Sequence, residues 1–319
     1  MKDKVVAVVG GAGFVGRNVV RELCKKGVRV NVGCRDTESA KFLRSMGDVV
    51  QVNLLKVNVA NYDQMARLIE GADHVISLVG ILHETKGNTF ETVQAKGPML
   101  VGKIAREKNV RSLVHVSAIG ADVNSKSLYA SSKGLGETYI RDEFEKTVIL
   151  RPSIIFGPDD NFFNRFANLA AFAPFLPLVG GGTTKFQPVY VQDVASAIMV
   201  ALEDSAKVGN DYELGGPSIY SFRELLELLE KHTLRKRALV NIPFFLASLQ
   251  AKFLEVLPNP PLTRDQVQLL KTDNIVSQDA LTLQDLGISP TSCEAVLPTY
   301  LDRFRPGGRY NRSRLTTSS

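Results

Sequence analysis

Tyr129-Ala130-Ser131-Ser132-Lys133 places a phenol and an ammonium four residues apart. On a helix that spacing puts both on one face. The lysine charge then lowers the phenol pKa. A tyrosine tuned in this way passes a proton to or from a carbonyl or hydroxyl. The same pair can instead do no more than hold a ribose. Ser117 precedes them at the end of an apolar run and is a further candidate donor. Nearer the N-terminus, Gly10-Gly11-Ala12-Gly13-Phe14-Val15-Gly16 has GxxGxxG spacing. Glycines there permit a tight turn, close approach of the backbone to a pyrophosphate, and close packing of helix on strand. The helix that follows offers free N–H groups and a partial positive charge to phosphates. Arg35 stands where NAD-specific folds carry an acid, and Asp36 comes only after it. A guanidinium suits a ribose 2′-phosphate, and Arg17 adds charge nearby. The residues therefore favour NADP(H) over NAD(H).

Such groups need strands and helices to position them. Apolar β-branched runs predict strands at 5–9, 28–32, 49–53, 74–79, 112–116 and 147–150. Helices are expected at 18–26, 64–69, 89–108 and 131–145. Alternation of this kind builds βαβ units, hence an α/β fold with a doubly wound, Rossmann-type parallel sheet. After Arg151-Pro152 the texture changes to frequent prolines and phenylalanines. One βα-like piece at 188–202 and a strand at 211–214 persist. Ser221 and Glu224 have capping-box spacing for a helix at 222–231. Residues 238–257 read as an apolar helix containing Pro243 and Lys252, preceded by Lys231, Arg235, Lys236 and Arg237.

Composition bounds the function. The 319 residues are 44% hydrophobic and 23% charged, which excludes a disordered or fibrous chain. Three cysteines and four histidines are scattered, so neither a metal site nor a disulfide framework is expected, and a reducing compartment is favoured. The net charge of +6 suits an acidic lipid or protein surface. With no reading motif beside it, it implies no nucleic acid. The uncharged stretch between Arg165 and Lys185 contains Pro174, Pro177 and three consecutive glycines, which argue against a spanning helix. The opening MKDKVVAVVGG reads as a basic lead and a strand, not a secretory signal.

Taken together, GxxGxxG, YxxxK and the segment RPSIIFGP (151–158) resemble the extended and atypical short-chain dehydrogenase/reductase superfamily. VSAIGAD (116–122), RPSIIFGPDDNFFNRFANLA (151–170), PFLPLVGGGTTKFQPVYVQDVA (174–195), YELGGP (212–217), PPLTRDQVQLLKTDN (260–274) and LPTYLDRFRPGG (297–308) are similar to one branch of it. That branch is the family of NADPH-binding accessory subunits of respiratory complex I, with its alphaproteobacterial relatives. The resemblance implies a dinucleotide-binding domain over 1–152, to which 186–216 returns. It implies a smaller mixed domain over 153–185 and 217–305, and a flexible basic tail over 306–319. It also implies that the 10–16 turn, Phe14 and Val15 included, cradles the pyrophosphate and that Arg35 meets the 2′-phosphate. Asn58 would face the adenine, and Gly80 would lie under the ribose. Tyr129 and Lys133 would take the ribose and nicotinamide side, with Pro152 and Ser153 near the nicotinamide amide. Complex I subunits would be the partners. The location would be the cytoplasmic face of a bacterial inner membrane or the matrix side of the mitochondrial one. Two departures stand out. Ile119 occupies the place where extended dehydrogenases carry a catalytic Ser/Thr, and Gln94 replaces a frequent asparagine. A free NADP(H)-dependent reductase or epimerase is the alternative. Phe162, Phe163 and Phe166 read either as domain core or as the lining of a pocket for a long apolar molecule. The apolar 238–257 stretch reads either as a domain helix or as a surface for an anionic membrane.

Overall fold

In the chain's computed structural model, residues 1–258 and 260–308 are described. They form two units. The first comprises Met1–Pro152, Val191–Leu214 and Val276–Ser289.

Its centre is a seven-stranded, fully parallel sheet. Strands β1 (Val5–Val9), β2 (Arg29–Cys34), β3 (Val52–Lys56), β4 (His74–Ser77), β5 (Ser112–Val116) and β6 (Val148–Pro152) are joined by the edge strand Asp211–Leu214. The spatial order is edge strand, β6, β5, β4, β1, β2, β3. Connections therefore run outward in both directions from the β1/β4 boundary, which is where doubly wound sheets open a crevice for ligands. Burial on both faces explains the valine-rich runs: Val6, Ala7 and Val8 are all inaccessible. Helix α1 (Phe14–Lys25) packs with helix Val191–Glu203, and Gln192 donates to Asn18 Oδ1 at 2.8 Å. Helices α2 (Tyr62–Ile69), α3 (Gly97–Glu107) and α4 (Leu128–Glu143) contribute Met65, Leu68, Val101, Ile104 and Ile140 to a second core with Val75 and Leu113.

The second unit comprises 153–190, 215–275 and the described residues from Pro290 onward. Its core gathers Phe156, Phe163, Leu176, Phe186, Phe222, Leu225, Leu229, Leu297 and Tyr300. The aromatic cluster belongs to this core: Phe162 meets Phe163 and Phe166 at centroid distances of 5.1 and 5.2 Å. Buried Asp160 accepts from the backbone N–H groups of Gly157, Phe162 and Asn164 and from Tyr300 Oη at 2.6 Å, which fixes the start of helix Phe163–Phe172. The capping box of Ser221 and Glu224 starts helix Phe222–Thr233 as the spacing requires.

Several expectations are corrected. Residues 238–257 are not one helix. Ala238–Ile242 is a strand paired in parallel with Phe175–Val179, and the helix Phe244–Leu254 starts only after Pro243. Proline lacks an N–H and suits a helix start. The expected helix at 89–108 opens as a π-turn at Glu91–Lys96 before α3. The third strand lies at Val52–Lys56, because Val50 takes φ 66° in a turn. The return to the first unit spans Val191–Leu214 rather than 186–216, and Val276–Ser289 is a third pass through it. Arg309, Arg312 and Arg314 of the expected tail lie outside the described residues. All three cysteines are buried and unbridged. Burial pushes the Cys24 thiol to about 11 and Cys293 to about 12. Among the described residues, no helix is long and apolar enough to cross a membrane and no side-chain cluster could hold a metal.

Candidate dinucleotide site

The β1–α1 turn is a backbone cradle. Gly10 takes φ 87°, a region that favours glycine, and its N–H donates to Gly33 O across the top of β2. A Cβ at Gly16 would lie 2.5 Å from Gly10 O and 2.6 Å from Gly11 Cα, so α1 can seat against the turn only without a side chain there. Gly13 is the N-cap in extended conformation. It has no side chain to accept from the first N–H groups, and no acid occupies the first turn. Phe14 and Val15 open the helix half-buried. The helix N-terminus is thus uncapped by protein and faces the end of the strands where an anion would complete it.

Arg35 is the exposed residue directly after β2. Neighbouring Asp36 is committed elsewhere. Its carboxylate accepts from the Glu38 N–H at 2.9 Å, and that bond with those from Ser39 holds its pKa below the ordinary value. An acid tied into its own turn is poorly placed to accept from a ribose, whereas the guanidinium beside it carries the positive charge. Arg17 lies over the Phe42 ring at 5.2 Å, on the same side of the turn as its acceptor Gly13 O. Asn58, exposed after β3, accepts from the Ala60 N–H at 3.0 Å, so its amide nitrogen is the group left to act as a donor.

The far side of the crevice is built on β4, β5 and α4. Gly80 is exposed, and a Cβ on it would approach Lys133 Nζ at 3.2 Å and Gln94 Oε1 at 3.3 Å. Lys133 is 4% accessible and donates to Val116 O at 3.3 Å. Desolvation lowers its pKa to about 8, against the opposing pull of Glu137. An ammonium has three donors, and one acceptor leaves two for a ligand such as a ribose diol. Tyr129 is half-buried in the first turn of α4, edge-on to Phe90 at 6.1 Å. Ser117 Oγ is buried with no hydrogen-bond partner. That orphaned hydroxyl and the spare ammonium donors fit a polar ligand lying across the strand ends. Ile119, two residues on, is apolar and its N–H donates to Pro152 O. Pro152 thereby ties β6 to the loop after β5. Ser153 begins the second unit, where its hydroxyl is engaged with Asn274 O and Oδ1 at 2.9 and 2.6 Å.

Two supporting features have roles that a reading of motifs does not supply. Gln94, inside the π-turn, accepts from the Ile81 N–H at 3.0 Å and donates to Ser132 Oγ at 2.9 Å, bracing the loop under Gly80 against α4. Its own carbonyl fills the space that a Cβ at Gly136 would need. Glu137, one turn beyond Lys133, pairs with Arg151 in a bidentate contact, and Arg151 and Arg141 both pair with Asp211. The histidine on β5 is hidden: His115 is inaccessible, its Nδ1 lies 3.2 Å from Ser77 Oγ, and burial with the Lys133 charge pushes it down to about 3.

Residues 6–215 match the NAD dependent epimerase/dehydratase family. The chain belongs to that family. Among its relatives is subunit 9 of the NADH dehydrogenase (ubiquinone) 1 alpha subcomplex, mitochondrial. The protein of Arabidopsis thaliana is 35% identical over 95% of this chain and 79% of its own length. The counterpart in Mus musculus is 34% identical over 94% and 80%. Ceramide reductase of Caulobacter vibrioides is 30% identical over 61% of this chain and 60% of its own. Solved epimerase/dehydratase structures share the fold. UDP-glucuronic acid 4-epimerase from Bacillus cereus, in complex with UDP-glucuronic acid and NAD, superposes with a TM-score of 0.73 at 19% identity, covering 94% of this chain and 98% of that one. DesIV, a dTDP-glucose 4,6-dehydratase from Streptomyces venezuelae with NAD bound, gives 0.73 at 19% identity over 93% and 95%. The expected family and the Rossmann-type α/β architecture both hold.

Proposed function

We propose that this chain is an NADPH-binding accessory subunit of the respiratory NADH:quinone oxidoreductase, complex I, with the nucleotide held mainly as a structural ligand. The observation that carries the reading is likeness along nearly the whole chain to the alpha subcomplex subunit 9 proteins. The cradle supports the nucleotide. Gly10, Gly13 and Gly16 with the opening N–H groups of α1 would take the pyrophosphate, and Arg35 the 2′-phosphate. Asn58 would face the base, Gly80 and Lys133 the nicotinamide ribose, with Tyr129 and Ser117 beside them and Pro152 and Ser153 completing that end. A nicotinamide nucleotide supplies hydride chemistry when a substrate is present. Here Ile119 presents no hydroxyl toward a reacting oxygen, and loss of such a donor removes a large part of catalytic stabilisation. The chain would then sit on the inner membrane's cytoplasmic face in a bacterium, or its matrix face in a mitochondrion.

Two measurements test this. A native gel of mildly solubilised source membranes should show the chain migrating with NADH dehydrogenase activity; migration alone as a small soluble species overturns the assignment. NADPH at a hundredfold its Kd should add about 2.7 kcal/mol of stability, or about 5 °C or more in Tm. The free reductase or epimerase reading rests on the intact Tyr129/Lys133 pair. Steady NADPH oxidation with a carbonyl substrate, abolished in Tyr129→Phe, would establish it.

A further inference from the structure

The second unit carries an apolar surface that nothing in the described structure covers. Helix Phe244–Leu254 is seated through Ala247 and Ala251, which pack against Val179, Ile242 and Val267. On its opposite side Phe245 and Phe253 are each 70% exposed, with Leu249 between them and Val256 beyond at 85%. A helix apolar on every side is normally buried. The surface continues onto the adjoining strands. Residues paired in register on parallel strands point to the same side, so Phe175, Ala238 and Val240 share a face with Val179 and Ile242. The helix covers that face only at the Val179/Ile242 end, and Phe175 and Val240 stay exposed. Leu176, Leu178 and Leu239 point the other way, into the core.

Basic residues lead into this surface, and the acid that borders it, Glu255 beside Val256, is paired with Arg264 at 2.9 Å. From Lys231 to Leu254 there is no Asp or Glu, while Lys231, Arg235, Lys236, Arg237 and Lys252 are present. Arg235 and Arg237 are spent on Phe304 O and Ala170 O. Lys231, Lys236 and Lys252 are exposed. Lys252 comes seven residues after Phe245 and three after Leu249, so helical periodicity sets it within the apolar face. A lysine there lays its stem along apolar neighbours and carries its charge outward. We propose that this face docks on an anionic lipid bilayer, with Phe245, Leu249, Phe253 and Val256 entering the acyl boundary and Lys236 and Lys252 meeting lipid phosphates. An exposed face of aromatic and aliphatic groups with lysines among them binds anionic lipid through buried apolar area and electrostatic attraction. The inference rests on the second unit alone and is independent of nucleotide binding.

The test is co-sedimentation of the full chain with vesicles of phosphatidylcholine alone or with one-third phosphatidylglycerol. Wild type should pellet at least fivefold more with the anionic vesicles, and less as salt rises. Phe245→Ser/Phe253→Ser should remain in the supernatant with an unchanged melting curve, since both side chains are already in solvent. Lys236→Glu/Lys252→Glu should lose the anionic preference. The proposal is overturned if wild type ignores both vesicles, or if the double serine variant pellets like wild type. A wild-type dimer in light scattering that becomes monomeric in the serine variant, with no vesicle binding by either, would assign the face to a second copy instead.

Discussion

Lys133 shows a candidate-site group held at a cost. Its ammonium is buried against one carbonyl, and desolvation brings its pKa to about 8 from 10.5. Between those values the unfolded chain binds more protons than the folded one. Stability of the nucleotide-free protein should therefore rise as pH climbs from about 8 to about 10.5. Below pH 8 the buried charge weighs fully against the fold. Lys133→Met should raise the nucleotide-free Tm at pH 7 while shrinking the Tm gain on adding NADPH; scanning calorimetry with and without nucleotide reads both. Arg35 makes the opposite case, an exposed residue whose loss touches nothing in the fold. Arg35→Ala should leave Tm unchanged and cost about 1.5 kcal/mol in NADPH binding, roughly tenfold, with NADH binding unaltered. Calorimetric titration of the two nucleotides decides it.

At the scale of elements, α4 is the part on which the candidate site depends. It carries Tyr129 and Lys133, and two glycines set its approach: Gly136 against the Gln94 carbonyl, and Gly102 of α3 against Ile140 O. Alanine in an exposed helix stabilises by about 1 kcal/mol over glycine. Gly136→Ala should reverse that sign, destabilising by about 1–3 kcal/mol through overpacking and weakening nucleotide binding as Gln94 is displaced. Urea unfolding measures the first effect. Arg151 ties α4 to the sheet edge through Glu137 and Asp211. Arg151→Met leaves Glu137 charged and nearly buried, and should cost about 3 kcal/mol or more. The sequence makes α4 legible because YxxxK and its helix spacing are local. Likewise the strand–glycine–helix order at 5–25 shows in the residue pattern alone. The π-turn is invisible there, since a helical run reads alike whether a carbonyl is met by the N–H four or five residues on. Ala238–Ile242 is misread because its partner, Phe175–Val179, lies some sixty residues away, and an apolar run beside a helix has no period of its own.

Over the whole molecule, the chain passes between its two units five times. The first 152 residues therefore do not complete the first unit. They lack helix Val191–Glu203, whose Val194, Ala197, Ile198 and Ala201 are fully or almost fully buried, and the strand that covers the outer edge of β6. A fragment ending at Pro152 would expose an apolar sheet face and an open edge, and should aggregate in gel filtration where the full chain does not. Val276–Ser289, the third pass, escapes sequence reading because it contains little regular structure: Leu281 meets Tyr212 in a single bridge. The buried thiols lend this architecture a use. Cys24 and Cys34 belong to the first unit and Cys293 to the second. All three are protonated and shielded at neutral pH, so an alkylating reagent reaches each only when its surroundings open. Mass spectrometry of timed alkylation on the unaltered protein would then give separate clocks for the two units, with no label to engineer.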